Sequence, residues 1–157
     1  MIEVRPLDLS DAATLTALVR VQRASYSVEA ELIGFDDLPP LRETPADLAR
    51  AEESFLGAFE GERLLGAVAF RRHRTWVDIY RLVVDPGAFR RGVATRLLDA
   101  LDELHADAAW TIVATGEQNA PAIALYERRG FQPVGRTAVA PGIRIVRFER
   151  RNAAISP

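Results

Sequence analysis

The sequence predicts a single mixed α/β domain, in which a central sheet carries helices on both faces. Two observations support this prediction. Segments with the two-residue period of strands alternate with segments of helical spacing, in the order β-α-α-β-β-β-α-β-α-β-β. The 157 residues, 48% of them hydrophobic, suffice for one core, and no repeat, low-complexity segment or internal linker divides them. We therefore place one domain at residues 1–151 and a frayed tail at residues 152–157.

The N-terminal region predicts a strand followed by a helix. Residues Ile2–Leu7 alternate apolar and polar side chains, which is the pattern of a half-buried strand. Asp8 or Ser10 offers an N-cap, and helical spacing of apolar residues then predicts a helix that runs to about Ala24.

The rest of the chain predicts irregular structure at residues 25–42, three helices and six strands. The second helix begins at Thr44-Pro45, an N-cap followed by proline at the first helical position. The two later helices are Gly92–Ala106 and Asn119–Arg129. The strands are Phe55–Glu60, Leu64–Arg72, Trp76–Val84, Trp110–Thr115, Phe131–Val139 and Ile143–Arg150.

Composition excludes several function classes. The chain has no cysteine, and all 20 of its basic residues are arginine, so a cysteine nucleophile, a Schiff-base lysine and a P-loop lysine are excluded. A net charge of −2 argues against nucleic acid as a partner. We expect no metal, because His73 and His105 lack partners at ligand spacing. No membrane-spanning run or signal-peptide pattern is present, so a cytoplasmic location is expected.

The segment from Val83 to Leu98 is the most informative in the chain. An apolar strand ends at Asp85-Pro86, a short basic loop with Gly92 follows, and the loop opens directly into an amphipathic helix. The first N–H groups of a helix have no partner within the helix, and the helix dipole is positive there. The loop therefore predicts an anion site suited to a phosphate-bearing ligand, although an ordinary strand-to-helix turn would have the same pattern.

A second motif lies at Asn119–Phe131. Asn119 is placed at a helix start, and Ala122 and Tyr126, four residues apart, share one face of that helix. A small residue and a phenol on one face suit a slot for a slender ligand with a proton donor at its end. Taken alone, the motif is equally typical of a capped helix whose tyrosine packs in the core.

Together the two motifs resemble the GNAT family of N-acetyltransferases. The pattern V-x-P…R-R-G-x-A-x-x-L-L is similar to the family's acyl-CoA pyrophosphate motif, and N-x-x-A-x-x-L-Y-x-x-x-G-F to its second cofactor motif. The order of elements matches over almost the whole chain. One position departs: the family pattern puts glutamine or arginine where this chain has Phe89. We therefore expect pyrophosphate to be held mainly by backbone amides, with Arg90 and Arg91 assisting.

The resemblance implies roles for particular residues. Backbone groups at the end of the strand would pair with the pantetheine arm of acetyl-CoA, and Asn119 would bond the same arm beside Ala122. Tyr126 would lie near the thioester sulfur and protonate the leaving thiolate. The strand residues are Leu82, Val83 and Val84. The pyrophosphate would be held by Arg90, Arg91, Gly92, Val93, Ala94 and Thr95.

A proton acceptor is also needed, because an amine acceptor is protonated at neutral pH. Asp78 lies where many members of the family carry a glutamate in this role, and a water could bridge the shorter side chain to the amine. The alternative is that Asp78 is merely a strand residue facing solvent.

The expected function is transfer of acetyl from acetyl-CoA to a primary amine, by direct transfer in a ternary complex. A small-molecule acceptor is favoured by the many acids between Ser25 and Glu60, which face only Arg42 and Arg50 in that segment. The alternatives are a protein N-terminal acetyltransferase, a non-catalytic acyl-CoA-binding module and, for the acids, a solvated surface. A homodimer through the terminal hairpin is left open.

Overall fold

The computed structural model describes residues 1–152, which form one seven-stranded sheet. The strands are β1 (Ile2–Pro6), β2 (Ser54–Glu60), β3 (Arg63–Arg72), β4 (Trp76–Val84), β5 (Trp110–Gly116), β6 (Gln132–Ala140) and β7 (Ile143–Arg151). Their order across the sheet is β1-β2-β3-β4-β5-β7-β6, and every neighbouring pair is antiparallel except the parallel pair β4–β5. β6 lies at an outer edge of the sheet, where its backbone can pair with another strand. A homodimer through the terminal hairpin stays a prediction.

Helices cover both faces of this sheet. They are α1 (Ala12–Ile33), α2 (Pro45–Arg50), α3 (Val93–Leu104) and α4 (Ala120–Arg128), with short 3₁₀ turns at Pro39–Leu41 and Pro86–Ala88. The core under α1 and α2 contains Leu18, Val21, Leu48, Phe55 and Val83. The core under α3 and α4 contains Val68, Leu97, Tyr126, Val146 and Phe148. The predicted fold class and order of elements are confirmed.

The first helix was predicted wrongly at both ends. Asp11 is the N-cap of α1, and its carboxylate accepts a hydrogen bond from the Thr14 backbone N–H at 3.1 Å. Asp8 closes the turn before the helix instead, since it accepts from the Ser10 backbone N–H at 3.0 Å. Neither Asp8 nor Ser10 is therefore the cap.

At its other end, α1 does not stop at Ala24 but continues to Ile33. It ends at Gly34, which adopts the left-handed conformation (φ 69°) that glycine allows at a helix end. The serines beyond Ala24 look like helix breakers, but Ser27 donates its hydroxyl hydrogen bond to the Arg23 carbonyl inside the helix, at 2.7 Å. Much of the segment predicted as irregular is therefore helical.

The remaining boundaries differ by a few residues. Gly92 and Asn119 are N-caps, so α3 and α4 each begin one residue later than predicted. Asn152 donates its side-chain amide to the Ala108 carbonyl at 3.0 Å, and the rest of the predicted tail, residues 153–157, lies outside the described residues. Among residues 1–152, no helix is long and apolar enough to cross a membrane.

Candidate functional site

The central feature of the site is a gap between the two parallel strands. β4 and β5 pair only from Trp76–Ile79 to Trp110–Val113. The register against β3 shifts at Tyr80, which is the extra residue of a bulge. Beyond it, Leu82–Val84 stay paired with β3 but have no partner in β5 within the described chain. The backbone of the three residues expected to meet a pantetheine arm therefore faces an open notch.

The predicted anion loop closes one end of this notch. Arg90 and Gly92 both have positive φ, 66° and 75°, which turns the backbone sharply before α3. Gly92 is the N-cap and makes no side-chain capping bond, and the first bond of the helix runs from the Arg96 N–H to the Gly92 carbonyl. The N–H groups of Val93, Ala94 and Thr95 therefore have no partner within the helix. A Cβ built at Gly92 meets no heavy atom within 4 Å, so the surface beside these groups is open. The loop has the geometry of an anion site.

The two arginines of the loop are exposed to solvent. Arg91 forms an ion pair with Glu60 at the end of β2, and hydrogen bonds from Arg91 lower the pKa of the Glu60 carboxyl. Phe89, where the family pattern expects a polar side chain, is 43% exposed. No side chain of the loop is therefore fixed over the helix terminus, and the backbone offers the defined donors.

Asp85 fixes the turn that leads into the loop. Its carboxylate accepts from the Gly87 backbone N–H at 3.0 Å, from Arg20 at 2.9 Å and from Arg63 at 3.3 Å. The bond from Gly87, followed by that from Arg20, lowers the pKa of the Asp85 carboxyl. This buried carboxylate ties α1 and β3 to the end of β4, so the loop starts from a rigid base.

The residues predicted on α4 lie on the far side of the notch. The Asn119 side chain caps the helix by accepting from the Ala122 backbone N–H at 3.3 Å. Tyr126 is only 4% exposed, and its ring packs against Phe131 and Phe148 at centroid distances of 5.6 and 6.0 Å. Burial raises the pKa of the Tyr126 hydroxyl, and the charge of Glu29 raises it further. This phenol therefore keeps its proton well above neutral pH.

Asp78 lies on the paired part of β4, opposite Ile112 of β5 and Arg71 of β3. The side chain is half-buried on the α1 face of the sheet. Burial raises the pKa of the Asp78 carboxyl, against the opposing effects of Tyr80, His73 and Arg71. A raised pKa makes this carboxylate a stronger base than an ordinary aspartate. The role of Asp78 as proton acceptor stays a prediction, beside the alternative of a strand residue that partly faces solvent.

Three residues of α1 lie on the side of the notch: Ser25, Tyr26 and Glu29. The sequence prediction included Tyr26 as an aromatic candidate and Glu29 among the acids, and it did not single out Ser25. Ser25 accepts the Val84 backbone N–H at 3.2 Å, which is one of the strand donors facing the notch. Glu29 accepts hydrogen bonds from the Thr115 hydroxyl and the Asn119 amide, each at 3.3 Å. Burial and the charge of Glu29 raise the pKa of Tyr26. The helical spacing of these residues identifies them once α1 is extended to Ile33.

A second group that the sequence prediction missed surrounds Arg81 on β4. Its guanidinium bonds Glu53 at 2.8 and 3.1 Å, Glu43 at 3.1 Å through Nη2, and the Gln22 side-chain carbonyl at 3.0 Å. The Gln22 amide in turn donates to Glu43 at 2.9 Å. Arginine from outside the acidic segment therefore neutralises part of it, and Arg91 does the same for Glu60. Within the segment the acids face only Arg42 and Arg50, and these arginines from elsewhere in the chain reduce its excess of negative charge.

Two further expectations concern metals and aromatic residues. Among residues 1–152, no group of three or more His, Asp or Glu side chains is arranged to hold a metal ion. The sequence also offers Tyr26, Phe35 and Trp76 as residues that line an acceptor pocket or, alternatively, pack in the core. Trp76 stacks on His73 with ring centroids 3.9 Å apart. Tyr26 packs against the core under α1 and α2.

Comparison with known proteins gives a consistent result. A family model described as "Acetyltransferase (GNAT) family" matches residues 15–131. The protein described as UPF0157 protein YqkA from Bacillus subtilis (strain 168) is 34% identical over 137 residues, which cover 87% of this chain. The chain spans about 40% of the length of that relative.

Two solved structures share the fold. The PaiA N-acetyltransferase from Thermoplasma acidophilum, in complex with coenzyme A, has a TM-score of 0.78 at 21% identity, covering 96% of this chain and 99% of that one. The ribosomal-protein-S18-alanine N-acetyltransferase from Escherichia coli has a TM-score of 0.77 at 18% identity, covering 99% and 97%. At these identities the likeness establishes the fold.

Proposed function

The chain belongs to the acetyltransferase (GNAT) family, and from this premise we propose that it transfers the acetyl group of acetyl-CoA directly to a primary amine. The observation that supports the proposal most is the notch between β4 and β5. An anion loop closes one end of it, and the buried phenol of Tyr126 lies at the other side. A linear thioester with a pyrophosphate at one end matches that arrangement.

In this proposal the donor is bound mostly by backbone groups. The N–H groups of Val93, Ala94 and Thr95 bind the pyrophosphate. The edge of Leu82–Val84 has no partner in β5, and its groups that Ser25 does not occupy pair with the amides of the pantetheine arm, as an added strand would. Asn119 and Ala122 border the arm on the α4 side, where the small side chain leaves room.

The chemistry then needs two proton movements. Asp78 takes a proton from the ammonium group, directly or through water, and the free amine attacks the thioester carbonyl carbon. The tetrahedral intermediate collapses with cleavage of the C–S bond, and Tyr126 protonates the departing thiolate. The new amide nitrogen loses its second proton to the Tyr126 phenolate, which restores the phenol. Coenzyme A thiol and the N-acetyl product leave, and Asp78 releases its proton to water.

The acceptor amine defines two candidate functions. A small cationic molecule is favoured by the acidic side chains on the α1 face, among them Glu29 beside the notch. A protein N-terminus is the second candidate acceptor, since one of the proteins that share the fold is the ribosomal-protein-S18-alanine N-acetyltransferase from Escherichia coli. Both substrates present a primary amine to the same notch.

A two-stage assay tests this proposal. Acetyl-CoA is expected to raise the melting temperature of the protein, because a ligand that binds only the folded state stabilises it. Release of coenzyme A is then measured against small amines and peptides with free N-termini, with the amine omitted as a control. Turnover on one class identifies the acceptor. Binding without turnover on any amine would favour a non-catalytic acyl-CoA-binding module. A protein that shows neither binding nor turnover would contradict the whole proposal.

A further inference from the structure

Glu29 is the carboxylate that the donor-site chemistry leaves unexplained. It is partly buried, and it lies on α1 over the notch. Its two hydrogen bonds, from the Thr115 hydroxyl and the Asn119 amide, both reach Oε1 at 3.3 Å. A carboxylate can accept about four hydrogen bonds. Oε2 has no such partner among residues 1–152, and neither oxygen lies within ion-pair distance of an arginine there.

Two partly buried acids of the same face have a cationic partner. Glu43 and Glu53 share the guanidinium of Arg81. Since charged groups removed from water are normally paired, an uncompensated carboxylate at the edge of a notch is suited to a cation supplied by a ligand. Glu29 therefore differs from Glu43 and Glu53 in that no arginine of residues 1–152 pairs with it.

A second observation places a ligand at the same point. The Tyr126 hydroxyl belongs to a side chain that is 96% buried, and it has no hydrogen-bond partner within residues 1–152. Glu29 and Tyr126 come from helices on opposite faces of the sheet, and the charge of Glu29 raises the pKa of the Tyr126 phenol. The two groups can influence each other because the strands between them have separated. The Glu29 carboxylate, which has no arginine partner, and the Tyr126 hydroxyl therefore lie at the same notch between β4 and β5.

We propose that Glu29 binds the ammonium group of the acceptor and holds its nitrogen beside Tyr126, where the thioester ends. The inference rests on the proposed function and extends it, since it assigns the acceptor site to α1 and makes the acceptor a cationic amine. The ammonium group donates to the free Oε2, while Thr115 and Asn119 keep Oε1 in place. Asp78 and Glu29 then have separate tasks: the former accepts the proton, and the latter binds the charged acceptor.

The test compares Glu29→Gln with the wild type on the best amine of the panel. Glutamine keeps the size of the side chain and an oxygen for Thr115 and Asn119, but it removes the charge. Because hydrogen bonds to charged groups are the strong ones, we expect KM for the amine to rise about tenfold or more. The kcat value and KM for acetyl-CoA should change little. Glu29→Asp should restore part of the affinity.

A matched control and a change of pH separate binding from structure. Glu31→Gln removes an exposed charge from the same helix and should leave all constants unchanged. Above the amine's own pKa the acceptor is neutral, so the KM difference between Glu29→Gln and the wild type should shrink. A purely structural role would not respond in this way.

Each outcome has a distinct meaning. An unchanged KM for the amine, or a rise only in KM for acetyl-CoA, would overturn the inference and leave Glu29 as a residue that positions Asn119. The proposed function would survive that result, because wild-type turnover establishes it separately. Wild-type protein that acetylates no amine would overturn both.

Discussion

The donor side and the acceptor side of the notch are built in different ways. The donor side is a contiguous stretch of backbone, in which two positive φ angles and an uncapped helix start present N–H groups at Val93–Thr95. The proposed acceptor side would be an assembly of side chains, with Glu29 and Tyr26 from α1 and Arg81 from β4. The donor side would bind through backbone N–H groups, which nearly every residue has. The acceptor side would bind through side chains that only particular residues have. Donor binding should therefore tolerate side-chain changes that acceptor chemistry does not.

Removal of the Tyr126 hydroxyl tests this difference most strongly. Tyr126→Phe keeps the ring in its contacts with Phe131 and Phe148 but takes away the proton for the leaving thiolate. General acid catalysis contributes about 10²-fold or more, so kcat should fall by about that factor. KM for acetyl-CoA should stay near the wild-type value. Steady-state kinetics and calorimetric titration with acetyl-CoA check both expectations, and wild-type turnover would exclude the acid role.

Asp78→Asn should have a smaller effect that depends on pH. Since burial raises the pKa of Asp78 above its ordinary value, the wild-type rate should fall as the pH drops through that raised pKa and the carboxylate becomes protonated. The variant lacks the proton acceptor and depends on amine that is already neutral. We expect about a tenfold loss near pH 6.5 and a loss that shrinks near pH 10, where a typical alkyl amine deprotonates by itself.

A full pH profile of kcat for both proteins provides the measurement. Melting curves across the same range provide the control, because a variant that unfolds at low pH would imitate the loss. A profile of the variant that is parallel to the wild type would assign proton acceptance to another group. Glu29→Gln, measured alongside, should change mainly KM for the amine, so the two carboxylates can be told apart.

The same difference between a contiguous backbone segment and an assembly of distant side chains explains which parts of the candidate site could be predicted from the sequence. The anion loop and the helix with Asn119 and Tyr126 are each a continuous segment of the sequence. Their spacing predicted the fold, which is confirmed, and it indicated the candidate donor side, which stays a prediction. The acceptor side could not be found in this way, because Arg81 bonds Glu53 and Glu43, which lie 28 and 38 residues earlier in the chain. Glu29 was recognised only as one of many acids, because the first helix was predicted to end at about Ala24. The contacts of Glu29 depend on the second half of α1, and tertiary packing stabilises that part of the helix more than its own helix propensity does.

The smallest expected effect lies within the anion loop itself. Arg91 is solvent-exposed and paired with Glu60, so its charge is already screened and partly compensated. Arg91→Ala should raise KM for acetyl-CoA by no more than about threefold. Gly92→Ala should raise it by about tenfold, because a side chain strains the left-handed backbone that presents the N–H groups. Melting temperatures of both variants control for loss of fold. The opposite order, with Arg91→Ala the more damaging, would mean that the guanidinium rather than the backbone holds the pyrophosphate, and the donor side would then depend on side chains as the acceptor side does.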